Sequence, residues 1–217
     1  RAAQLAGGRV HIELEKNLPP ASGIGGGSSD AAATLRGMQI LHPGGHPSDA
    51  EVLGLGADVP ACLRARPLHM TGIGEGLDDV AWPDLAAVLV NPGVSVPTPA
   101  VFERLHSKTN PPQDPIATGD PIAWLAQQRN DLEPPACALA PEIDAVLSTL
   151  NGVGAQLARM SGSGATCFGV FATDADAQQA ARDIQNVQPR WWVQACVLGT
   201  PANLISGSPS AAPAQLE

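Results

Sequence analysis

The residues that most constrain this chain run from 19 to 30, Pro-Pro-Ala-Ser-Gly-Ile-Gly-Gly-Gly-Ser-Ser-Asp, and lead straight into Ala31-Ala32-Ala33-Thr34-Leu35. Glycine at 23, 25, 26 and 27 disfavours both helix and strand, because glycine loses more backbone freedom on ordering than any other residue. Such a stretch suits a loop whose bare backbone must approach another group closely. Ser28, Ser29 and Asp30 are residue types that cap helices, and the alanines after them are the strongest helix formers. The expected local structure is therefore a glycine-rich loop feeding a helix from about Ser29 to Leu41. A helix start offers unpaired N–H groups and the positive end of the dipole to an anion, so phosphate is the natural guest.

With 217 residues, 44% of them hydrophobic and 15% charged, the chain can bury a core as one large domain or two small ones. A net charge of −9 argues against a nucleic-acid partner. It does not argue against a phosphorylated small molecule, which backbone amides hold without net positive charge. No apolar run is long enough to span a membrane. Cys62, Cys137, Cys167 and Cys196 lie far apart without metal-ligand spacing, which reads as buried free thiols in a reducing cytoplasm. His11, His42, His46, His69 and His106 show no ligand spacing either, so no metal ligand is assigned to the protein. The start, Arg1-Ala2-Ala3-Gln4-Leu5, has no Met and no signal-peptide pattern. It reads as the end of a helix entered midway, as expected of a truncated gene product.

Val10 to Lys16 alternates apolar and polar residues and is expected as a half-buried strand ended by Pro19 and Pro20. After the glycine loop and its helix, Ser48 and Asp49 are expected to cap a short helix carrying Val52, Leu53 and Leu55. Gly56-Ala57-Asp58-Val59-Pro60 then reads as a turn, Leu68 to Ile73 as a strand, and 72–76 as a glycine-rich bend. A second unit begins near Pro83. Its expected elements are a buried strand over Leu85 to Val90, a helix opened by Thr98-Pro99, and a mobile loop over 107–121. Helices near Asn130-Asp131-Leu132 and over Pro141 to Leu147 come next. Further on come a strand over Thr166 to Phe171, a helix over Ala177 to Ile184 capped by Asp174, and a last strand over Trp191 to Val197. The small, proline-containing tail 206–217 is expected to be disordered. Strands and helices without a regular βαβ repeat predict an α+β fold in two layers.

Three segments can carry chemistry. The loop at 23–27 lacks the Lys-Ser/Thr ending of a P-loop, and Ser28 stands where a dinucleotide fingerprint wants its third glycine, so neither standard nucleotide motif applies. Asp58, between glycine and proline, is either a turn residue or a carboxylate able to accept an alcohol's proton during phosphoryl transfer. Ser161-Gly162-Ser163-Gly164 is either a tight turn or a second backbone nest for phosphate. It is not a nucleophile elbow, because it precedes a strand.

Five strings occur in order: Pro19-Pro20-x-x-Gly23-Ile24-Gly25-Gly26-Gly27-Ser28-Ser29-Asp30-Ala31-Ala32; Leu55-Gly56-Ala57-Asp58-Val59-Pro60; Asn91-Pro92-Gly93-Val94-x-Val96-Pro97-Thr98-Pro99-x-Val101-Phe102; Asn130-Asp131-Leu132-Glu133; and Ser161-Gly162-Ser163-Gly164-Ala165-Thr166-Cys167-Phe168. Together they resemble the GHMP kinases, and within them the 4-diphosphocytidyl-2-C-methyl-D-erythritol kinases, over most of residues 8 to 200. The resemblance implies an ATP-dependent kinase of non-mevalonate isoprenoid (terpenoid) biosynthesis, cytoplasmic, with magnesium accompanying the nucleotide. Its partner would be a small molecule, the cytidine diphosphate derivative of methylerythritol, phosphorylated on the 2-hydroxyl; neither nucleic acid nor membrane is implied, and no oligomeric state is.

On that resemblance Pro19, Pro20, Ala21, Ser22, Gly23, Ile24, Gly25, Gly26, Gly27, Ser28 and Ser29 wrap the ATP phosphates, with Lys16 toward the adenine. Asp58 is the base or orienter for the substrate hydroxyl. Thr98 lines the substrate pocket, and Gly162 and Gly164 support the phosphates. The implied fold has two domains: a ribosomal S5-like ATP-binding domain over 1–83, incomplete here, and a ferredoxin-like domain over 84–205. Two departures stand out. The family's N-terminal Pro-Ala-Lys motif and Tyr-His pair are not found, and the chain has no tyrosine. The helix between Asp49 and Gly56 is also about one turn shorter than the family's. Impaired catalysis is the resulting expectation. The alternatives are another GHMP small-molecule kinase, acting on homoserine, mevalonate or a sugar, and a non-catalytic nucleotide-binding fragment.

Overall fold

The computed structural model describes residues 1–5, 7, 9–19, 22–44, 46–111, 113, 116 and 119–199. Pro20, Ala21 and the tail 206–217 lie outside the described residues.

The first part of the chain is built around one long helix. After α1 (Ala2–Leu5), α2 spans Gly26–Leu41, so it begins three residues earlier than expected. The helix starts there because Gly25 takes a left-handed conformation (φ 66°, ψ 21°) that only glycine adopts without penalty, and Ser29 N–H already donates to the Gly25 carbonyl at 2.8 Å. Ser28, Ser29 and Asp30 consequently lie inside the first turns, and no side chain caps the helix. Ala32, Leu35 and Met38 form its buried face. Ala32 and Leu35 cluster with Ala2, with Val52 of α3 (Asp49–Leu53) and with Val59 of α4 (Val59–Arg64). Helix α3 starts where expected, with Ser48 and Glu51 forming a complete capping box. Helix α4 was not expected. Asp58 is its N-cap, and Pro60 sits in the first turn, where a missing N–H costs nothing. Strands β1 (Leu68–Thr71) and β2 (Gly76–Asp79) make an antiparallel hairpin.

Residues 10–16 do not form the expected strand. Alternation marks the two faces of a strand but supplies no pairing. No described strand runs alongside this segment, and Ile12 (54% exposed) and Leu14 (57%) face solvent.

The second part is a two-layer α+β unit. Strand β3 (Leu85–Asn91) is followed by α5 (Thr98–Glu103), α6 (Pro121–Gln127), α7 (Glu133–Leu139), α8 (Glu142–Gly152), β4 (Leu157–Met160), β5 (Cys167–Phe171), α9 (Asp174–Val187) and β6 (Trp192–Leu198). The sheet order is β4-β5-β3-β6, every pair antiparallel, with Val88 opposite both Gly169 and Ala195. Counting β3 as the first strand, that order is 2-3-1-4 with a helical crossover before the second and fourth strands, which is ferredoxin-like. Helices α8 and α9 pack on the sheet, and Ile143, Val146, Leu150, Ala177, Ala180 and Ile184 fill the space with Val88, Val90 and Met160. Burial of each large aliphatic side chain there contributes about 1.5–3 kcal/mol.

Three details differ from expectation. Helix α6 rises at the end of the presumed 107–121 loop, because Asp120 caps it by accepting from Ile122 N–H (2.9 Å). Helix α9 is capped by Thr173 rather than Asp174, since Thr173 Oγ1 accepts from Asp176 N–H. All four cysteines are free, but only Cys167 is fully buried. Burial raises the Cys167 thiol far above its ordinary pKa and pushes Cys137 up to about 12, helped there by a hydrogen bond with Asp144.

Candidate functional site

Two glycine loops meet where the two parts of the chain join. The first, 22–28, ends in α2; the second, 161–164, joins β4 to β5. Ser161 Oγ donates to the Gly23 carbonyl (2.9 Å), and Thr166 N–H donates to the carbonyl of the buried Ser22 (3.1 Å). Gly23 has φ 74°, and a Cβ placed on it would stand 2.6 Å from the Ser161 carbonyl oxygen and 2.7 Å from that of Gly164. Gly23 is glycine because another backbone occupies the place of its side chain. Gly25, Gly26 and Gly27 differ, for a Cβ on any of them would meet nothing within 4 Å.

The open side of the first loop exposes backbone at the start of α2. The first intrahelical bond of α2 comes from Ser29 N–H, which leaves the amides of 26, 27 and 28 without an intrahelical acceptor. The helix behind them has 16 residues, so its dipole is fully developed at that end. Lys16 Nζ pairs with Asp30 Oδ2 at 2.8 Å, both groups well exposed, which sets a cation beside the first turn and contributes about 0–1 kcal/mol of stability. Ile24, in the loop, and Pro19, before it, are both half-buried.

Asp58 sits at the same corner of the molecule. Helix α4 packs against α2: Ser29 Oγ and Cys62 Sγ are 3.5 Å apart, and Arg36 Nη1 donates to the Cys62 carbonyl (3.0 Å). Cys62 N–H in turn donates to the carbonyl of Asp58, one turn back (3.0 Å). From the other side, a Cβ on Gly56 would lie 3.8 Å from Ser28 Oγ. The segment 56–62 thus lies against the start of α2. The Asp58 side chain is exposed, caps nothing, and makes no hydrogen bond or ion pair among the described residues.

Thr98, the first residue of α5, presents its hydroxyl to that of Ser163 at 2.8 Å. Beside Gly162 opens a cavity of about 420 Å³, lined by Phe102, Leu105, Lys108, Arg129 and Asn130 among others. A second groove, of about 720 Å³, runs along α2 past Asp30, Thr34 and Met38. The structure therefore brings Thr98 and the 161–164 loop together, and sets Gly56 and Cys62, on either side of Asp58, against the start of α2.

Sequence reasoning did not single out the side chains that fix the second loop. Asn91, 2% exposed at the end of β3, donates to Thr166 Oγ1 (2.9 Å) and accepts from Gly93 N–H (2.8 Å). Asn130 donates to the carbonyls of Met160 and Gly162, and Glu133 accepts from Met160 N–H (2.8 Å). Asn91 was detectable, because a polar residue closing an apolar strand must find partners. Asn130 and Glu133 stood in one of the strings that carry the resemblance, but not as clamps, since their partners are backbone groups 27 to 32 residues away.

The description "GHMP kinases N terminal domain" matches residues 1–82, and "GHMP kinases C terminal" matches 105–190. The chain belongs to the GHMP kinase family. Members of this family are ATP-dependent phosphotransferases. The chain is 55% identical over 204 residues to the 4-diphosphocytidyl-2-C-methyl-D-erythritol kinase of Dinoroseobacter shibae, covering 91% of this chain and 70% of that protein. It is 54% identical over 199 residues to the Sinorhizobium medicae protein of the same name, covering 88% and 65%. Among solved structures it resembles a 4-(cytidine 5'-diphospho)-2C-methyl-D-erythritol kinase, with 35% identity, a TM-score of 0.77, and coverage of 91% of this chain and 76% of that one. A homoserine kinase from Cytophaga hutchinsonii shares the fold at 19% identity and a TM-score of 0.60. Among the described residues of this GHMP kinase no helix is long and apolar enough to cross a membrane, and no group of three His, Cys, Asp or Glu side chains is placed to hold a metal ion.

Proposed function

We propose that this chain transfers the terminal phosphoryl group of ATP to the 2-hydroxyl of 4-diphosphocytidyl-2-C-methyl-D-erythritol, in non-mevalonate isoprenoid biosynthesis. The observation that supports the reading is that the α2 start, with uncapped amides at 26–28, lies against Gly56 and Cys62, which flank Asp58 and its unpartnered carboxylate. Relatives more than 50% identical bear that kinase's name.

In this reading residues 19–29 surround the phosphates of ATP. The amides of 26, 27 and 28 donate to phosphate oxygens, and the open faces of Gly25, Gly26 and Gly27 admit the close approach. Lys16 stands toward the nucleoside end. Thr98 contacts the acceptor, with Gly162 and Gly164 below the phosphates. As the acceptor oxygen bonds to the γ-phosphorus, the bond from that phosphorus to the β,γ-bridging oxygen breaks, and ADP leaves with the electron pair. The hydroxyl proton passes to the carboxylate of Asp58. Magnesium would arrive with the triphosphate, offset its charge, and take most of its ligands from phosphate oxygens and water. The two domains are residues 1–83 and 84–205, each with its own cluster of buried side chains. A cytoplasmic location, with ATP as donor and free thiols, belongs to the same reading.

The test is an ADP-release assay with the cytidine substrate, run beside homoserine and mevalonate. Turnover is expected with the first. Asp58→Asn should lower kcat by about 10²–10⁴ while an ATP analogue still binds. Equal turnover in the Asn variant would remove Asp58 from the reaction, and turnover of homoserine instead would move the chain to another branch of the family.

A further inference from the structure

The second glycine loop is fastened to the first at Gly23, through the Ser161 hydroxyl and close backbone packing, with the Thr166–Ser22 bond beside it, so a shift of the second loop is passed to the first. We infer that Asn130 is a positioning residue for ATP: it fixes residues 160–162, and Ser161 passes that constraint to Gly23 and on to the amides at 26–28. The inference rests on the kinase reading above.

Asn130 makes three hydrogen bonds. Its Nδ2 donates to the carbonyls of Met160 (3.0 Å) and Gly162 (2.8 Å), and its Oδ1 accepts from Leu132 N–H (3.0 Å). Two acceptors and one donor face the side chain, and an amide supplies the complementary set. Ser161 lies between the two gripped carbonyls, and its hydroxyl donates to the Gly23 carbonyl at 2.9 Å. The fit is close enough that no Cβ is tolerated at Gly23, and Gly162 has only 3.0 Å between its own Cβ position and the Gly23 carbonyl oxygen. Gly23 is two residues from Gly25, whose left-handed turn orients the amides at the start of α2. A shift of the 160–162 backbone therefore re-aims donors that Asn130 never touches.

The test compares Asn130→Asp, Ser161→Ala and their combination with the unmodified chain. The Asp variant keeps the shape and the acceptor for Leu132 but removes both donors. Thr149→Ala on α8, remote from both loops, is the control. Affinity for a non-hydrolysable ATP analogue is read by titration calorimetry, KM and kcat by ADP release, and folding by thermal melting. Loss of a net hydrogen bond should weaken analogue binding by roughly three- to tenfold in each single variant. The KM for ATP should rise with it while kcat stays within about threefold. Because Ser161 acts downstream of Asn130, the double variant should bind no more weakly than Asn130→Asp alone. Analogue affinity unchanged in a less stable Asn130→Asp variant would make Asn130 merely structural, and effects that multiply in the double variant would break the relay through Ser161. If the unmodified chain bound no ATP analogue, the kinase reading would fall and this inference with it.

Discussion

The two glycine loops have nearly the same composition and opposite environments. In the loop that enters α2, Gly25, Gly26 and Gly27 face open space; in the loop between β4 and β5, Gly164 is buried against Met160 and Ile143, and Gly162 abuts Gly23. One presents its backbone outward, and the other holds it in place. Gly23 belongs to the first loop by sequence and to the second by environment. A glycine-rich string therefore does not say what its glycines are for, and substituting them one at a time separates the two kinds.

The largest effect is expected at Gly23. Alanine there must bear both a left-handed φ of 74° and a collision with backbone atoms that cannot swing aside. Left-handed strain and overpacking together should destabilise by roughly 2–5 kcal/mol, and the disturbed loop should also lose ATP. Denaturant melts of Gly23→Ala against the unmodified chain read the first, and analogue titration reads the second. A melt within about 0.5 kcal/mol of the unmodified chain, the level of a neutral surface change, would break the comparison at its strongest point.

Gly164→Ala should come next. Its φ is 88°, but the nearest atom to the added Cβ is the Met160 sulfur at 2.8 Å, the end of a flexible side chain. Met160 can yield in part, so a loss of roughly 1–3 kcal/mol is expected, with ATP affinity following only as far as the loop moves.

Gly27→Ala should split the two readouts. Its site is helical and open, so alanine should stabilise α2 by roughly 0.5–1 kcal/mol. On the proposed site the added methyl stands in the path of the phosphate, so analogue binding should weaken. A protein that gains stability and loses ligand would sharpen the contrast; one that gains stability and binds ATP unchanged would take Gly27 out of the site.

The sequence disclosed these loops unequally, and for physical reasons. The elements of the second part were legible because β3 is a continuous apolar run, and α8 and α9 carry their buried residues at helical spacing on one face. The first part was harder. Val10 to Lys16 has strand alternation, yet a strand exists only where a partner supplies the other half of the ladder, and no local pattern reveals that. The start of α2 was misplaced by three residues because serine and aspartate are good caps in general, whereas the left-handed turn at Gly25 opens the helix here without any cap. Asp58 could be named from its motif, but α4, of which it is the N-cap and whose Cys62 packs against α2, was hidden by Pro60, a residue that reads as a breaker and acts as a helix opener. Asn130 was legible as part of a string and illegible as a clamp, because its two acceptors are carbonyls that any sequence would possess.

The smallest effect concerns how helix starts are used, and it sets α2 beside α3. Helix α3 engages its first amides internally: Ser48 Oγ accepts from Glu51 N–H, and Glu51 Oε2 accepts from the Ser48 backbone N–H (2.9 Å) and hydroxyl (2.8 Å). Those bonds, the backbone one first, hold the Glu51 carboxyl below its ordinary value of 4.5. The sign follows from linkage. A carboxyl whose folded pKa is depressed stabilises the fold above its unfolded pKa, and that contribution disappears as pH falls through the folded value. Amide exchange at Ser48 and Glu51, normalised to intrinsic rates, should therefore lose protection as the pH drops below 4.5, and Glu51→Gln should show no such titration. The amides of 26, 27 and 28 have no carboxylate cap to titrate, so their exchange should be fast across the same range and slow only when an ATP analogue is added. Protection at 26–28 in the free protein would mean that another group already occupies them, and the difference between a helix start closed by its own side chains and one left open for a ligand would vanish.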